Sequence, residues 1–405
     1  MQKEIHKKKV ITTLFFIVLA DMLGFGLIIP LLPYYVKQFG ASDFMIGLLS
    51  MVYPLGQIFA APLIGRLSDK VGRKKALLLS VGGTFVSLLT LGFAKSLVVI
   101  FMARLIDGLT GGNITVAQSY ISDFTDEKER SKNLGLIGAA FGLGFILGPA
   151  IGGFLSRWGF SVPALFAAGL SFINLINIVF LLPESKPVKE SKRVPFTFEE
   201  LKNTISTPHI SSLLFVKFFY ALGFTMFEST FALFTMRKLE LPLSTTSYVL
   251  AYVGLVLVFT QGFLVGKVTK RYEESKIVQI LVWIAASFLV MYSFSPNIAT
   301  LLLFLTPLSI SSALIGVSLS TLVTKSVGKD KLGGTLGVFN SVDSLMRIIS
   351  PLVGGAIIQY LGPSFLGIFE GAFVLIGGLI FITVFIPRYS ELVSKQFQRI
   401  PENVL

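Results

Sequence analysis

The sequence predicts an all-α integral membrane protein of twelve transmembrane helices arranged as two parallel six-helix pseudo-repeats, and three observations carry that prediction. Of the 405 residues, 53% are hydrophobic and only 14% charged, with a mean hydropathy of +0.78, whereas soluble domains average about 25% charged residues. The apolar residues are gathered into runs rather than scattered, and about 20 such residues suffice to cross a bilayer. A pattern also repeats at about half the chain length. Leu134, Gly135, Pro149, Gly152 and Gly153 recur 202 residues later as Leu336, Gly337, Pro351, Gly354 and Gly355, as expected of halves related by an axis along the membrane normal.

The apolar runs fall near 10–36, 44–66, 76–95, 97–121, 134–156, 160–183, 210–236, 245–267, 276–295, 297–324, 333–361 and 364–387. Several exceed the length needed to cross, which permits tilt. With the N-terminus inside, the cytoplasmic segments hold 27 of the 35 Lys and Arg, the outer loops hold 5 and the spans hold 3. That bias is the positive-inside rule. It accounts for the net charge of +13 without a nucleic-acid partner and puts both termini in the cytoplasm. The expected division is an N-terminal half over 1–183, a cytoplasmic linker over 184–209, and a C-terminal half with its tail over 210–405. Within the linker, the largest polar stretch of the chain, FTFEELKNTI suits a short amphipathic helix on the membrane surface.

The first run follows Lys7, Lys8 and Lys9, as in a secretory signal. It is far longer than a signal core and contains Asp21, so a retained helix is expected. Its glycines and prolines, in DMLGFGLIIPLLP, are expected to interrupt the helix and turn backbone groups toward protein or a cavity. Between spans 2 and 3 stands GRLSDKVGRKK, Gly65 to Lys75, too densely charged for hydrocarbon. An ordinary inside loop needs those charges but neither the glycines nor the aspartate. Gly65, Asp69, Gly72, Arg73 and Lys74 keep the spacing G-x-x-x-D-x-x-G-R-K, in which glycine allows a tight reversal, Asp69 sits near a helix terminus and the basic run stays in the wet interface.

This spacing resembles the loop between helices 2 and 3 of the major facilitator superfamily of secondary transporters. The resemblance implies that family's fold and transport by alternating access. The first span is similar to the first helix of twelve-helix drug/proton antiporters, closest to the tetracycline type, with Asp21 at the position of the family's acid. In span 4, RLIDGLTGG carries Arg104, Asp107 and Gly108. Arg104 with Gly108 resembles the family's proton-transfer arginine and its glycine, while Asp107 departs from the small apolar residue usual there. An intramembrane arginine that pairs with an acid can equally be structural. The sequon Asn113-Ile114-Thr115 lies within the span and should not be glycosylated. Span 5 reads GFILGPAIGG, and its Gly144, Gly148, Pro149, Gly152 and Gly153 resemble the antiporter signature G-x-x-x-G-P-x-x-G-G. Small residues of this kind also make a helix-packing seam.

In the second half the loop after Gly266 keeps basic charge but lacks the aspartate of the first-half motif. Span 7 holds Lys217 near its start and Glu228 in its interior, in a setting similar to the seventh helix of some bacterial multidrug/proton antiporters. A carboxylate among aromatics in a membrane is a candidate to take and release a proton. Phe224, Phe227 and Phe231 lie near it at helical spacings. Such stripes often serve packing or lipid contact, yet with Phe25 and Tyr34 they are the expected lining of a substrate cavity. Asp343 and Arg347 in span 11 stand four apart, as an ion pair along one helix face would. Glu370 in span 12 reads as a wet carboxylate near the outer interface.

No G-x-x-x-x-G-K-S/T loop is present, and the two histidines, His6 and His209, are isolated. Neither nucleotide-driven pumping nor a histidine metal centre has support, an enzyme is not expected, and no cofactor or metal is implied. With no cysteine there is no disulfide or thiolate site. The expected function is a proton-coupled antiporter of lipophilic or cationic small molecules in the plasma membrane, with Asp21, Glu228, Arg104 and Asp107 in proton coupling. Its expected partners are a small-molecule substrate, protons and the lipid bilayer around a monomeric chain. The alternatives are a transporter of a metabolite such as a sugar or lipid on the same fold, and a transport-dead receptor or scaffold.

Overall fold

The computed structural model describes residues 2–125, 127–184, 206–327 and 332–390. The amphipathic helix expected in the linker and the C-terminal tail lie outside them. Among the described residues twelve helices are long and apolar enough to cross a membrane. They are Lys8–Lys37, Asp43–Val71, Arg73–Gly92, Leu97–Phe124, Lys132–Trp158 and Ser161–Leu181, then Pro208–Lys238, Leu243–Arg271, Glu274–Tyr292, Ile298–Ser326, Leu332–Tyr360 and Pro363–Ser390. We call them spans 1 to 12. The chain is a multi-pass membrane protein.

Two compact units form, one from Met1–Arg193 with Thr230–Leu255, the other from Val194–Ser229 with Val256–Leu405. In the first unit span 1 runs along span 5, span 3 along span 6, and span 2 along span 4. Glycine sets the close approaches. A Cβ on Gly148 would lie 2.8 Å from the Gly26 Cα, and one on Gly56 would lie 2.8 Å from the Gly108 carbonyl carbon, so two backbones meet at each crossing.

Span 1 is part of one continuous helix, Gln2–Lys37, with Pro30 and Pro33 inside it, contrary to the expected interruption. Its glycines serve packing instead, for a Cβ on Gly26 would lie 2.6 Å from the Gly144 carbonyl oxygen. Span 4 is the one that breaks in this unit, into Leu97–Leu109 and Asn113–Phe124. The break is held by span 3: the Ser80 hydroxyl donates to the Thr110 carbonyl and accepts from the Gly112 amide at 2.9 Å.

The Thr230–Leu255 segment is fastened within the first unit by polar contacts. Tyr34 donates its hydroxyl to the Leu241 carbonyl at 2.8 Å and lies 2.7 Å from the Thr246 hydroxyl, while Arg237 bonds the buried Asp43 through Nε at 2.9 Å and Nη2 at 2.8 Å. In the second unit span 9 packs on spans 10 and 12, and Ser350 of span 11 donates to the Leu222 carbonyl of span 7 at 3.1 Å. Span 8 carries a π-turn over Thr260–Leu264.

Candidate functional site

The break in span 4 builds the first cluster. Because the helix restarts at Asn113, that side chain turns toward span 1 and its Nδ2 donates to Asp21 Oδ1 at 2.7 Å. One turn before the break, Arg104 Nη1 donates to Asp107 Oδ2 at 2.7 Å, and its guanidinium lies over the Tyr53 ring, 4.6 Å from the centroid. Asp21, Phe25, Tyr53, Thr84, Arg104, Asp107 and Ser171 line one cleft of about 30 Å3. About 10–15 Å3 of such space holds one water, so the cleft has room for a water or two. The cleft suits a proton and its hydration rather than a drug-sized molecule.

Asp21, Arg104 and Asp107 are therefore brought together, and Phe25 with them, packed on Tyr53 and Phe145 at 5.9 and 6.2 Å between ring centroids. Tyr34 stands apart, its hydroxyl engaged at the Leu241 end. Asn113, Tyr53, Thr84 and Ser171 are the members that the sequence reading missed. Asn113 drew notice only as a sequon, and nothing local to it predicts a bond to a residue 92 positions away.

The charged loop motif forms a second cluster. Gly72 takes φ 99° between spans 2 and 3, a left-handed conformation that glycine enters without steric cost. The reversal brings Arg73 back onto span 2, where it bonds Asp69 at 2.6 Å and the Ser68 hydroxyl at 2.6 Å, and onto span 4, where it bonds Asp123 at 2.8 Å. Arg73 is only 1% exposed. The expected solvated basic run is wrong at this position, because two carboxylates and a hydroxyl replace its water. Lys74 reaches the end of span 6, donating Nζ to the Val179 carbonyl at 2.7 Å. Gly65 abuts the Thr115 methyl, where a Cβ would lie at 3.4 Å.

The span 5 motif presents two faces. Gly144, Gly148 and Gly152 lie against Met22, Gly26 and Leu27 of span 1, whereas a Cβ on Gly153 would lie 2.6 Å from the Ser247 Cβ of span 8. Pro149 sits within the helix between them.

The second unit holds a cavity of about 570 Å3 lined by Phe224, Gln261, Ser312, Ser320, Thr321, Thr324 and apolar neighbours. Its size falls within the range of roughly 300–1,000 Å3 typical of small-molecule sites. The π-turn in span 8 supplies Gln261, and such turns recur at functional sites. Phe224 lines this cavity, but Phe227 is buried against Tyr292, 5.2 Å between centroids, and Phe231 is fully buried in the first unit. Neither lines this cavity. Glu228 is half-buried.

Two further expectations are corrected. Asp343 pairs with Lys217 of span 7 at 2.7 Å, not with Arg347; the lysine is buried, 9% exposed, and a buried charge needs a partner. Lys217 also lies 5.0 Å from the centre of the Phe339 ring. Glu370 is completely buried, 0% exposed, rather than a wet interfacial acid.

The sequence profile of the Major Facilitator Superfamily matches residues 14–351 and 213–400. Multidrug resistance protein 2 of Bacillus subtilis (strain 168) is 28% identical over 390 residues, covering 94% of this chain and 96% of that protein. Tetracycline resistance protein, class B, of Escherichia coli is 31% identical over 393 residues, with 94% and 96% covered. The crystal structure of a bacterial homologue of the human lysosomal transporter Spinster aligns with a TM-score of 0.75 at 17% identity, over 94% of this chain and 95% of that one. At that identity the likeness is one of fold.

Proposed function

The chain belongs to the major facilitator superfamily, and from that premise we propose that it is a proton-coupled antiporter that exports lipophilic or cationic small molecules by alternating access. Relatives named for multidrug and tetracycline resistance support the efflux class. The observation that carries the coupling is the charge balance of the 30 Å3 cleft. Asp107 neutralises Arg104, so an ionised Asp21 leaves one net negative charge inside the membrane, and a single bound proton removes it. Uncompensated intramembrane charge is costly. Proton uptake is thereby tied to whatever else changes the field in this half of the protein.

Asp21 is the proton carrier in this reading, Asn113 orients its carboxylate, and the Arg104–Asp107 pair holds the cleft one charge from neutrality. Glu228, half-buried on span 7, is the second coupling acid in this reading. The glycine crossings of span 5 with span 1, and the Asp69–Arg73–Asp123 cluster at the loop, are the conformational parts. The distribution of Lys and Arg supports cytoplasmic termini in a plasma membrane, with the two halves dividing at the linker.

One observation favours a second reading. The wall of the 570 Å3 cavity is rich in hydroxyls, with Gln261 and a single aromatic, Phe224, which also suits a polar metabolite such as a sugar. Proteoliposomes with an imposed pH gradient, offered a lipophilic cation, a tetracycline and a sugar in turn, separate the two. Uphill movement of the cation or the tetracycline only when protons run the other way is expected; movement of the sugar alone would overturn the drug assignment.

A further inference from the structure

Span 12 lies unusually close to two neighbours at Glu370. A Cβ on Gly371 would lie 2.8 Å from the Ala286 carbonyl oxygen of span 9, and one on Gly223 of span 7 would lie 2.5 Å from the carbonyl oxygen of Glu370 itself. Three helices thus close around a carboxyl group that has no exposed surface. Its Oε2 accepts from the Tyr292 hydroxyl of span 9 at 2.7 Å. Its Oε1 is buried without any partner. Tyr292 is itself fully buried and meets the Phe227 ring edge-on.

Among the described residues no cation bonds this carboxyl. On span 7, Lys217 is bonded to Asp343 of span 11, His209 to the Ser326 carbonyl and Tyr220 to the Ser312 carbonyl. On span 9, Glu274 is bonded to Lys325. Arg388 of span 12 donates to the Pro208 carbonyl. Neither Arg347 of span 11 nor Glu228 of span 7 bonds to Glu370. Tyr292 is the one titratable group that faces it among the described residues. An ionised carboxylate held in hydrocarbon-like surroundings by a single neutral donor, with its other oxygen bare, lacks the pairing that buried charges require.

We propose that Glu370 is a proton-binding site in the second half of the protein, separate from the Asp21 cleft. The carboxyl carries its proton on Oε1, and Oε2, as the carbonyl oxygen, accepts from Tyr292. The proton stays as long as spans 7, 9 and 12 remain packed. Its release requires water to reach the carboxyl, so proton occupancy and the closeness of these three helices are linked. Span 7 is also divided between the two units, at Ser229 and Thr230, six residues beyond Gly223. A proton here would be held whether or not the chain exports drugs.

Infrared spectroscopy of the full chain in lipid at neutral pH tests this directly through the C=O stretch of a protonated carboxyl. The wild type should show a protonated-carboxyl band that Glu370→Gln removes and Glu228→Gln leaves in place. Tyr292→Phe should keep the band but shift its frequency, since one hydrogen bond is lost. A Glu370→Gln difference spectrum that contains only carboxylate bands would overturn the proposal. If the glutamine variant does not fold, a Tyr292→Phe spectrum unchanged in the carboxyl region would overturn it as well.

Discussion

Asn113 of span 4 donates to the Asp21 carboxylate of span 1 at 2.7 Å, and it does so only because the helix breaks at Thr110–Gly112 and restarts with Asn113 as its first residue. A hydrogen bond to a charged group contributes about 1.5–3 kcal/mol. Asn113→Ala is therefore expected to lower thermal stability by up to about that amount and, because Asp21 loses its orienting donor, to lower gradient-driven export as well. Transport rates in proteoliposomes check this; an unchanged rate would remove Asn113 from the site.

The loop cluster makes a stability prediction. Removing one member of a fully buried ion pair costs about 3–5 kcal/mol, but Asp69 and Asp123 are 31% and 27% exposed. Arg73→Ala should therefore destabilise the protein by about 2–3 kcal/mol once solvent screening is allowed for. Lys74→Ala, which loses a surface contact, should cost less than about 1 kcal/mol. Thermal unfolding of the two variants in the same detergent decides the order.

A third prediction separates packing glycines from permissive ones. At Gly148 an added methyl meets the backbone of span 1 at 2.8 Å, whereas at Gly135 nothing lies within 4 Å. Gly148→Ala should cost about 1–3 kcal/mol through overpacking and slow transport. Gly135→Ala should be neutral or slightly stabilising, as replacing a helical glycine is. Equal effects at the two sites would contradict the crossing described.

Lys217 and Asp343 should show coupling of about 0.5–3 kcal/mol in a double-mutant cycle. The charge-reversed pair, Lys217→Asp with Asp343→Lys, should recover part of the loss. Arg347→Gln should show no coupling with Asp343. A cycle in which Asp343 couples to Arg347 instead would restore the pairing that helical spacing alone suggested.

The twelve spans were legible because apolar length is a local property: the run expected at 97–121 is the helical span Leu97–Phe124, and that at 333–361 is Leu332–Tyr360. Asp21, Arg104 and Asp107 were legible as well, since ionisable residues inside apolar runs stand out in any reading. What was not legible is where such groups find partners. Asp343 has an arginine four residues on, yet bonds a lysine 126 residues earlier in the chain. Asp123, which completes the Arg73 cluster, lies at the far end of the helix that Asn113 opens, and nothing local to it marks a partner 50 residues earlier. Glu370 was misread because its distance from the helix end suggests water, while the glycines at 223 and 371 that shut water out act only across helices. The aromatic stripe of span 7 was legible only as a stripe, since Phe224 and Phe227 pack on each other and Phe224 alone of the three phenylalanines reaches the cavity.

Asp21 carries the coupling proton in the proposed mechanism, and Asp21→Asn tests that most directly. The asparagine variant, reconstituted in liposomes, should still exchange labelled for unlabelled substrate across the membrane at equal concentrations, because the fold and the cavity in the second unit remain. It should fail to accumulate substrate when only a pH gradient drives it. Uphill accumulation by Asp21→Asn at the wild-type rate would contradict the account and move the coupling proton elsewhere.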